Sequence, residues 1–256
     1  MSGLPAVLVG LVSGVLSGMF GIGGGLVTTP SIRLVLGYPA LVAVGTPLVA
    51  IVPTAVAGAA TYARAGLADV RRGLAIGAWG IPASVAGAAL TRLTGGGPVM
   101  LATAALILYV SGEMLVRPLR GQAAGSGVAK PAEEDRRGAW IIGLVAGAYS
   151  GFLGLGGGFV IVPLLLRRGV PMKCAIGTSL VGISLLAVPG IIVHSLLGHV
   201  DWTLGAALAL GSVPGALVGA RVTRAVSESW VRVGFALLLG ATGAWLAIGE
   251  FAGFLR

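Results

Sequence analysis

A glycine cluster that occurs twice, each time inside a long apolar run, most constrains what this chain can fold into. GMFGIGGGLVTTP spans residues 18–30, and GFLGLGGGFVIVP spans residues 151–163. Consecutive glycines interrupt a helix, because glycine loses more conformational freedom on folding than any other residue. Each of the two runs is therefore expected to contain a helix, a break and a second helix.

The composition around these clusters identifies lipid as the solvent. The 256-residue chain is 56% hydrophobic and 10% charged, with a mean hydropathy of +1.00. A soluble domain carries about 25% charged residues, so this chain cannot cover itself with a polar surface. The composition predicts an all-α polytopic membrane protein. The net charge of +9 does not indicate nucleic-acid binding, because the basic residues cluster in short connections, where they set membrane orientation.

Eight apolar runs are long enough to cross about 30 Å of hydrocarbon. The first and the fifth are too long for one simple helix, and these two contain the glycine clusters. A polar stretch at 117–137 mixes Gly, Pro, Ser and charges, which predicts an exposed cytoplasmic linker. The runs fall at 4–36, 40–62, 72–93, 98–116, 138–166, 174–197, 203–226 and 230–253.

The chain is a tandem repeat, which predicts a first transmembrane repeat at 1–116 and a second at 138–256 within one membrane domain. The glycine-rich segments of the two halves are related by one constant difference in residue number. All later segments are related by a difference that is one residue smaller. Internal repeats are common in transporter folds. The matched segments are 10–30 with 143–163, 37–49 with 169–181, and 80–94 with 212–226, and Asp69 falls on Asp201.

The basic residues predict how the repeats are oriented. If each broken segment turns back at its glycines, one side of the membrane receives 14 of the 17 Lys and Arg residues; if each crosses once, the sides receive 9 and 8. The positive-inside rule favours the first arrangement. Each repeat is then a Gly-broken helical hairpin followed by three transmembrane helices. The two repeats are inverted relative to each other, and both chain ends lie outside.

The breaks are the predicted substrate site. A helix broken inside lipid leaves backbone N–H and C=O groups that cost several kcal/mol each unless protein, water or substrate satisfies them. Paired breaks in two inverted halves indicate a transporter site, and a new helix N-terminus there favours an anion. The predicted binding residues are Ser17, Gly21, Gly23, Gly24, Gly25, Thr46, Ser150, Gly154, Gly156, Gly157, Gly158, Thr178 and Ser179.

Structural interpretations of the same residues stay open. The outer glycines repeat at a spacing of four, which is typical of close helix packing. The central glycines fit either the lining of a ligand site or a purely structural turn. Ser and Thr hydroxyls inside helices can bond their own backbone carbonyls instead of a ligand. The outer glycines are Gly10, Gly14 and Gly18 in the first repeat, and Gly143, Gly147 and Gly151 in the second.

Ionisable residues in the apolar runs are few. No Asp or Glu lies near the centre of a predicted crossing, so a carboxylate proton relay is not indicated. His194 lies inside the apolar run 174–197 and is the candidate for proton coupling, with a packing role as the alternative. Coupling to a proton or to sodium stays open. We find no acid pair, no Cys/His cluster and no nucleotide motif, so the sequence predicts neither an enzyme nor a bound metal or cofactor.

With these motifs the chain resembles the sulfite exporter TauE/SafE family of bacterial membrane permeases. The resemblance covers nearly the whole length: a Gly-rich motif opens each half, GTP or GTS follows in the next segment, and the third segment contains Pro. It implies transport of small sulfur-containing or organic anions, such as sulfite or sulfoacetate, across the inner membrane. An anion channel and a non-transporting membrane scaffold are the alternatives. The Gly-rich faces leave a homodimer open.

Overall fold

A computed structural model describes residues 3–94, 96–116 and 136–254, and within these ranges the regular structure is helical throughout, with no strand. Six of the helices are long and apolar enough to cross a membrane, which confirms the all-α polytopic class. The helices are α1 Gly3–Phe20, α2 Gly25–Pro30, α3 Ala40–Arg64, α4 Val70–Thr94, α5 Gly96–Val116, α6 Arg136–Leu153, α7 Gly158–Arg167, α8 Met172–Leu196, α9 Trp202–Ala225 and α10 Glu228–Phe254.

The predicted linker at 117–137 lies almost wholly outside the described residues, and Arg136 already begins α6. The six long apolar helices are α1, α3, α4, α8, α9 and α10. Shorter apolar helical stretches occupy Pro98–Met114, Gly138–Leu153 and Gly158–Arg167. The division of the chain into two repeats around a linker stays a prediction.

Both long apolar runs are divided at their glycine clusters. The first run forms α1 and α2, and the fifth forms α6 and α7. The second helix of each pair begins at the last glycine of its cluster, Gly25 or Gly158. After α2 the helix widens into a π-helical turn over Ser31–Val35. The interruptions therefore lie where glycine makes the helix most costly.

The outer glycines pack helices from the two halves against each other. A Cβ on Gly14 would overlap the carbonyl oxygen of Ser212 in α9, and a Cβ on Gly147 would overlap the carbonyl oxygen of Gly80 in α4. The other outer glycines make the same kind of backbone contact. Small residues let helix backbones approach closely, which increases the van der Waals packing that helps to drive helix association in lipid. The packing interpretation of these glycines is confirmed, and it pairs α1 with α9 and α6 with α4.

The order of these contacts gives the helix directions. Successive glycines of α1 meet successive residues of α9 in the same order, so α1 and α9 run in the same direction, as α6 and α4 do. The N-terminal part of α3 lies beside the N-terminal part of α9, because the Thr46 hydroxyl bonds Asp201 and Gly205 packs on Val49. Further along, Thr54 of α3 bonds Ser212 of α9. α1 and α3 therefore run in the same direction, and the chain returns between them through α2.

The helices that correspond in the repeat, α3 and α8, run antiparallel. Gly45 near the start of α3 lies against His194 near the end of α8, and Gly177 near the start of α8 lies against Tyr62 near the end of α3. Midway along both helices, Ile51 and Ile183 contact the same glycines. An antiparallel pair of matched helices is the geometry expected when two halves enter a membrane in opposite orientations.

Candidate functional site

Each break is formed by three glycines with left-handed backbone. Their φ values lie between 67° and 90°, a region that costs other L-residues about 1–2 kcal/mol each. The third glycine of each set, Gly24 or Gly157, precedes the new helix without a side-chain cap. The two breaks therefore share one backbone conformation position by position. The left-handed glycines are Gly21, Gly23 and Gly24 in the first break, and Gly154, Gly156 and Gly157 in the second.

The two breaks lie against each other in the protein interior. A Cβ on Gly25 would lie 2.7 Å from the Cα atom of Leu155, and a Cβ on Gly158 would overlap the carbonyl oxygen of Gly21. Ile51 and Ile183 contact both Gly23 and Gly156. All residues from 21 to 26 and from 153 to 162 are buried. The structure thus brings together the central glycines of the two halves of the chain.

Side chains from neighbouring helices satisfy the backbone acceptors beside the breaks. The Tyr62 hydroxyl donates to the Gly18 carbonyl over 2.9 Å, and the His194 Nε2 lies 2.9 Å from the matched carbonyl of Gly151. These carbonyls lie in the last turns of α1 and α6, where the break removes the backbone N–H group that would bond them in a continuous helix. The Ser179 hydroxyl donates to the Gly21 carbonyl over 2.8 Å.

Tyr62 was not identified from the sequence. The repeat register carries the signal, because Tyr62 lies 132 positions before His194, the same spacing that relates Thr46 to Thr178. Both side chains have a polar atom at the tip that can donate a hydrogen bond. His194 is thereby assigned a hydrogen-bonded position at the second break, and Tyr62 holds the equivalent position at the first.

The backbone donors of the breaks are left over. Within the described part of the chain, no hydrogen bond is formed by the N–H groups of residues 22–26 or of residues 155–159. The hydroxyls of Ser17 and Ser150 are buried and also have no partner. These two serines occupy matched positions of α1 and α6, one turn before the breaks. A buried polar group without a partner costs about 1–3 kcal/mol. These unpaired donors therefore raise the question of which ligand accepts their hydrogen bonds.

The arrangement is therefore rich in donors and poor in acceptors. Among described residues, the buried side chains with polar atoms are those of Ser, Thr, His and Tyr62, and none is Asp, Glu, Lys or Arg. Consecutive N–H groups on left-handed backbone form concavities that bind anions. A small anion can take several such hydrogen bonds at once and lose none of its own acceptors. No group of three or more metal-ligating residues occurs within the described ranges.

Thr46 and Thr178 hold the starts of two long helices. The Thr46 hydroxyl oxygen accepts the N–H of Asp201 over 3.0 Å, and the Thr178 oxygen accepts the N–H of Asp69 over 2.9 Å. Both aspartates cap a helix, because their carboxylates accept the N–H of the residue three positions on. Each threonine thus ties its own half of the chain to the other half, a role the sequence did not reveal.

The connections predicted to share the cytoplasmic side are partly joined. Lys173 Nζ donates to the Arg224 carbonyl over 3.0 Å, which brings two Arg-rich connections together. Arg167 at the end of α7 forms an ion pair with Glu113 of α5. The contacts agree with a common side for these charges, while the assignment of that side to the cytoplasm stays a prediction.

Comparison with known proteins gives a consistent result. A probable membrane transporter protein of Bacillus subtilis, YunE, is 27% identical and matches 88% of this chain and 89% of its own length. A probable membrane transporter protein of Haemophilus influenzae is 30% identical, with 92% and 94% covered, and one of Methanocaldococcus jannaschii is 23% identical, with 94% of each covered. No solved structure matches significantly.

The family comparison covers almost the same extent of the chain. Residues 6–246 match the family described as Sulfite exporter TauE/SafE. This range includes both glycine breaks. The chain is a membrane protein of a transporter family, and it belongs to the sulfite exporter TauE/SafE family.

Proposed function

We propose that the protein is a secondary transporter that moves small sulfur-containing or organic anions, such as sulfite or sulfoacetate, by alternating access. The family supports a permease and suggests sulfur-containing substrates, and the unpaired donors of the breaks support an anion. In this proposal the protein lies in the bacterial inner membrane with both termini periplasmic, and the distribution of basic residues supports that orientation. Arg-rich connections on the inner side would concentrate anions at that mouth.

One observation carries the proposal. Each break holds five consecutive N–H groups without partners and a buried serine hydroxyl without a partner, while the neighbouring carbonyls are satisfied. A structural turn would be more stable if its donors were also paired. An anion between the breaks supplies the acceptors that Ser17, Ser150 and the backbone lack. Hydrogen bonds to a charged partner contribute about 1.5–3 kcal/mol each.

Alternating access in this proposal is an exchange between the two repeats. Ile51 of α3 and Ile183 of α8 pack against Gly23 and Gly156 of the two breaks, so in this proposal α3 and α8 shift when an anion enters. Helices α3 and α8 are antiparallel counterparts. A shift of one helix that opens the anion site to one side of the membrane therefore has an equivalent shift of the other helix that opens the site to the opposite side. The glycine-lined contacts of α1 with α9 and of α6 with α4 lack long side chains and define surfaces that can move as units.

The test is uptake of radiolabelled sulfite, sulfoacetate and methanesulfonate into proteoliposomes, with protein-free liposomes as the baseline. The test variants are Ser17→Ala and Ser150→Ala, singly and together. We expect saturable uptake in the wild type. Each single variant should raise the half-saturating concentration about tenfold, since one charge-assisted hydrogen bond is lost.

Ser13→Ala is the matched control. Ser13 lies one turn before Ser17 on α1 and is equally buried, but its hydroxyl already donates to the Gly10 carbonyl over 2.9 Å. This variant should transport like the wild type. Equal loss in Ser13→Ala and Ser17→Ala would contradict the proposed role of the breaks. Non-saturating flux with unitary currents would identify a channel, and absence of flux for every anion would favour a scaffold.

A further inference from the structure

The second break is linked to a pair of histidines that the first break lacks. His194 Nδ1 lies 3.2 Å from His199 Nδ1, and the ring centroids are 5.5 Å apart. His194 is buried in the last turns of α8, and His199 lies in the connection that follows. In the repeat register the same two positions of the first half are Tyr62 and Leu67. Only the second half therefore carries a titratable pair at its break.

Hydrogen-bond accounting fixes the tautomers of the neutral pair. The Gly151 carbonyl can only accept, so His194 Nε2 must carry a proton and donate it. His194 Nδ1 is then an acceptor in the neutral ring. The facing Nδ1 of His199 must donate to it, which leaves His199 Nε2 without a proton.

The same geometry limits how many protons the pair can bind. One added proton fits, because it places a proton on His194 Nδ1 while His199 shifts its own proton to Nε2 and becomes the acceptor. A second added proton makes both Nδ1 atoms donors at 3.2 Å, and the contact must break. The pair therefore binds one proton as a unit, and a second proton separates the rings.

The charges around the pair favour release of that proton at neutral pH. Burial, and then the positive charge of Arg92 on α4, hold the pKa of the His199 imidazole below its usual range. α3 presents Gly45 to the pair, and α6 presents the Gly151 backbone. Asp201, two residues after His199, has its carboxylate engaged with the Leu204 N–H. The described surroundings thus place a fixed cation beside the pair.

We propose that His194 and His199 form a one-proton binding site that couples proton movement to the anion site through the Gly151 carbonyl. This inference rests on the proposed transport function for its coupling step, but proton binding by the pair stands independently. Gly151 is one residue after Ser150, and its carbonyl precedes the unpaired N–H groups of the second break. A proton on the pair brings a positive charge toward those donors and strengthens anion binding there.

Proton binding is measured first, by ¹⁵N NMR of protein in nanodiscs whose histidine ring nitrogens are labelled with ¹⁵N. The chain contains two histidines, so the spectrum reports this pair alone. We expect the Nε2–H tautomer for His194, the Nδ1–H tautomer for His199, and coupled changes in both rings as the pH falls. His199→Leu, which installs the residue of the first half, should shift the His194 titration. Independent titrations, unaffected by this variant, would overturn the pair.

Coupling is measured next, with methanesulfonate uptake into proteoliposomes at a pH difference of one unit. Methanesulfonate stays a monovalent anion, so a one-to-one proton symport drives about tenfold accumulation. His194→Tyr copies Tyr62 and keeps a donor for the Gly151 carbonyl. It should retain exchange of labelled for unlabelled anion and lose the pH-driven accumulation. Exchange without pH-driven accumulation in the wild type would overturn the coupling alone, while absence of any exchange would overturn the transport function.

Discussion

The two glycine breaks share a backbone but differ in what holds them. Both have three left-handed glycines, an unpaired serine and five unpaired N–H groups. The first break is held by two hydroxyls, from Tyr62 and Ser179. The second is held by an imidazole, from His194, and the position that matches Ser179 is Pro47, which has no hydroxyl.

The shared part and the differing part separate by chemistry. Both breaks have the same backbone donors and the same serine, which are the groups that would contact a ligand. The breaks differ in the side chains from neighbouring helices that donate to their carbonyl groups. A pair of sites with equal donors and unequal supports can bind one kind of ligand while responding differently to pH. The first break is supported by hydroxyl groups, and the second is supported by an imidazole, the side chain that most commonly serves as a pH-sensitive group in proteins.

The largest expected effect comes from Gly154→Ala. A Cβ at this position would overlap the Val44 carbonyl oxygen, and φ is +67°. The backbone oxygen cannot move aside, so the left-handed strain and the overlap add, and we expect a loss of more than about 3 kcal/mol in stability. Thermal unfolding in nanodiscs measures it. A fully stable Gly154→Ala protein would contradict the close contact of the second break with α3.

The matched pair Gly24→Ala and Gly157→Ala sharpens the comparison. Around Gly24 the nearest atom to an added Cβ lies at 3.8 Å, whereas at Gly157 the Ala146 carbonyl oxygen lies at 2.8 Å. Gly24→Ala should therefore cost only the left-handed backbone, about 1–2 kcal/mol. Gly157→Ala should cost clearly more. Equal unfolding temperatures for the two variants would show that the breaks do not differ in this way.

Tyr62→Phe tests the support of the first break. The variant keeps the ring and removes the hydroxyl that donates to Gly18, so the carbonyl is left buried and unpaired. We expect a loss of about 1–3 kcal/mol, with no change in the pH dependence of stability. Chemical denaturation at two pH values measures both quantities. A new pH dependence in this variant would contradict the assignment of pH sensitivity to the second break.

The smallest expected effect is a pH dependence of wild-type stability that depends on His199. Since its pKa in the folded protein is lowered from the ordinary value of 6.5, the unfolded chain binds the proton more readily. Stability is then fully present above about pH 6.5 and falls as the pH decreases below it. The unfolding temperature of His199→Leu should fall less over the same range. Identical pH profiles would contradict a lowered pKa.

Much of the fold was predictable because the sequence repeats. The glycine clusters, the small-residue spacing of α1 and α6, and the helical class follow directly from composition and period, and the structure confirms them. Ser17 and Ser150 were predictable for the same reason, since they precede the glycines in both halves. Their unpaired state required coordinates, because it depends on neighbours distant in sequence.

Other features of the structure could not be predicted from the sequence of either half considered alone. The sequence predicts Thr46 and Thr178 as site residues but does not show that their oxygens accept the N–H groups of Asp201 and Asp69, which cap helices in the other half of the chain. His194 appears unpaired in sequence, while its partners are His199 and a carbonyl 43 residues away. Such roles arise from packing between halves, which residue spacing does not encode.

The central claim is that the paired breaks bind an anion, and anomalous diffraction with selenite tests it most directly. Selenite has the shape and charge of sulfite, and a chain with ordinary methionine contributes no selenium signal of its own. We predict an anomalous peak about 3.5–4 Å from the Ser17 or Ser150 hydroxyl oxygen and the adjacent break nitrogens, because the selenium atom lies one Se–O bond behind the oxygen that accepts the hydrogen bond. This peak should weaken in the double Ser→Ala variant. Peaks confined to the Arg-rich connections at saturating selenite would contradict the account.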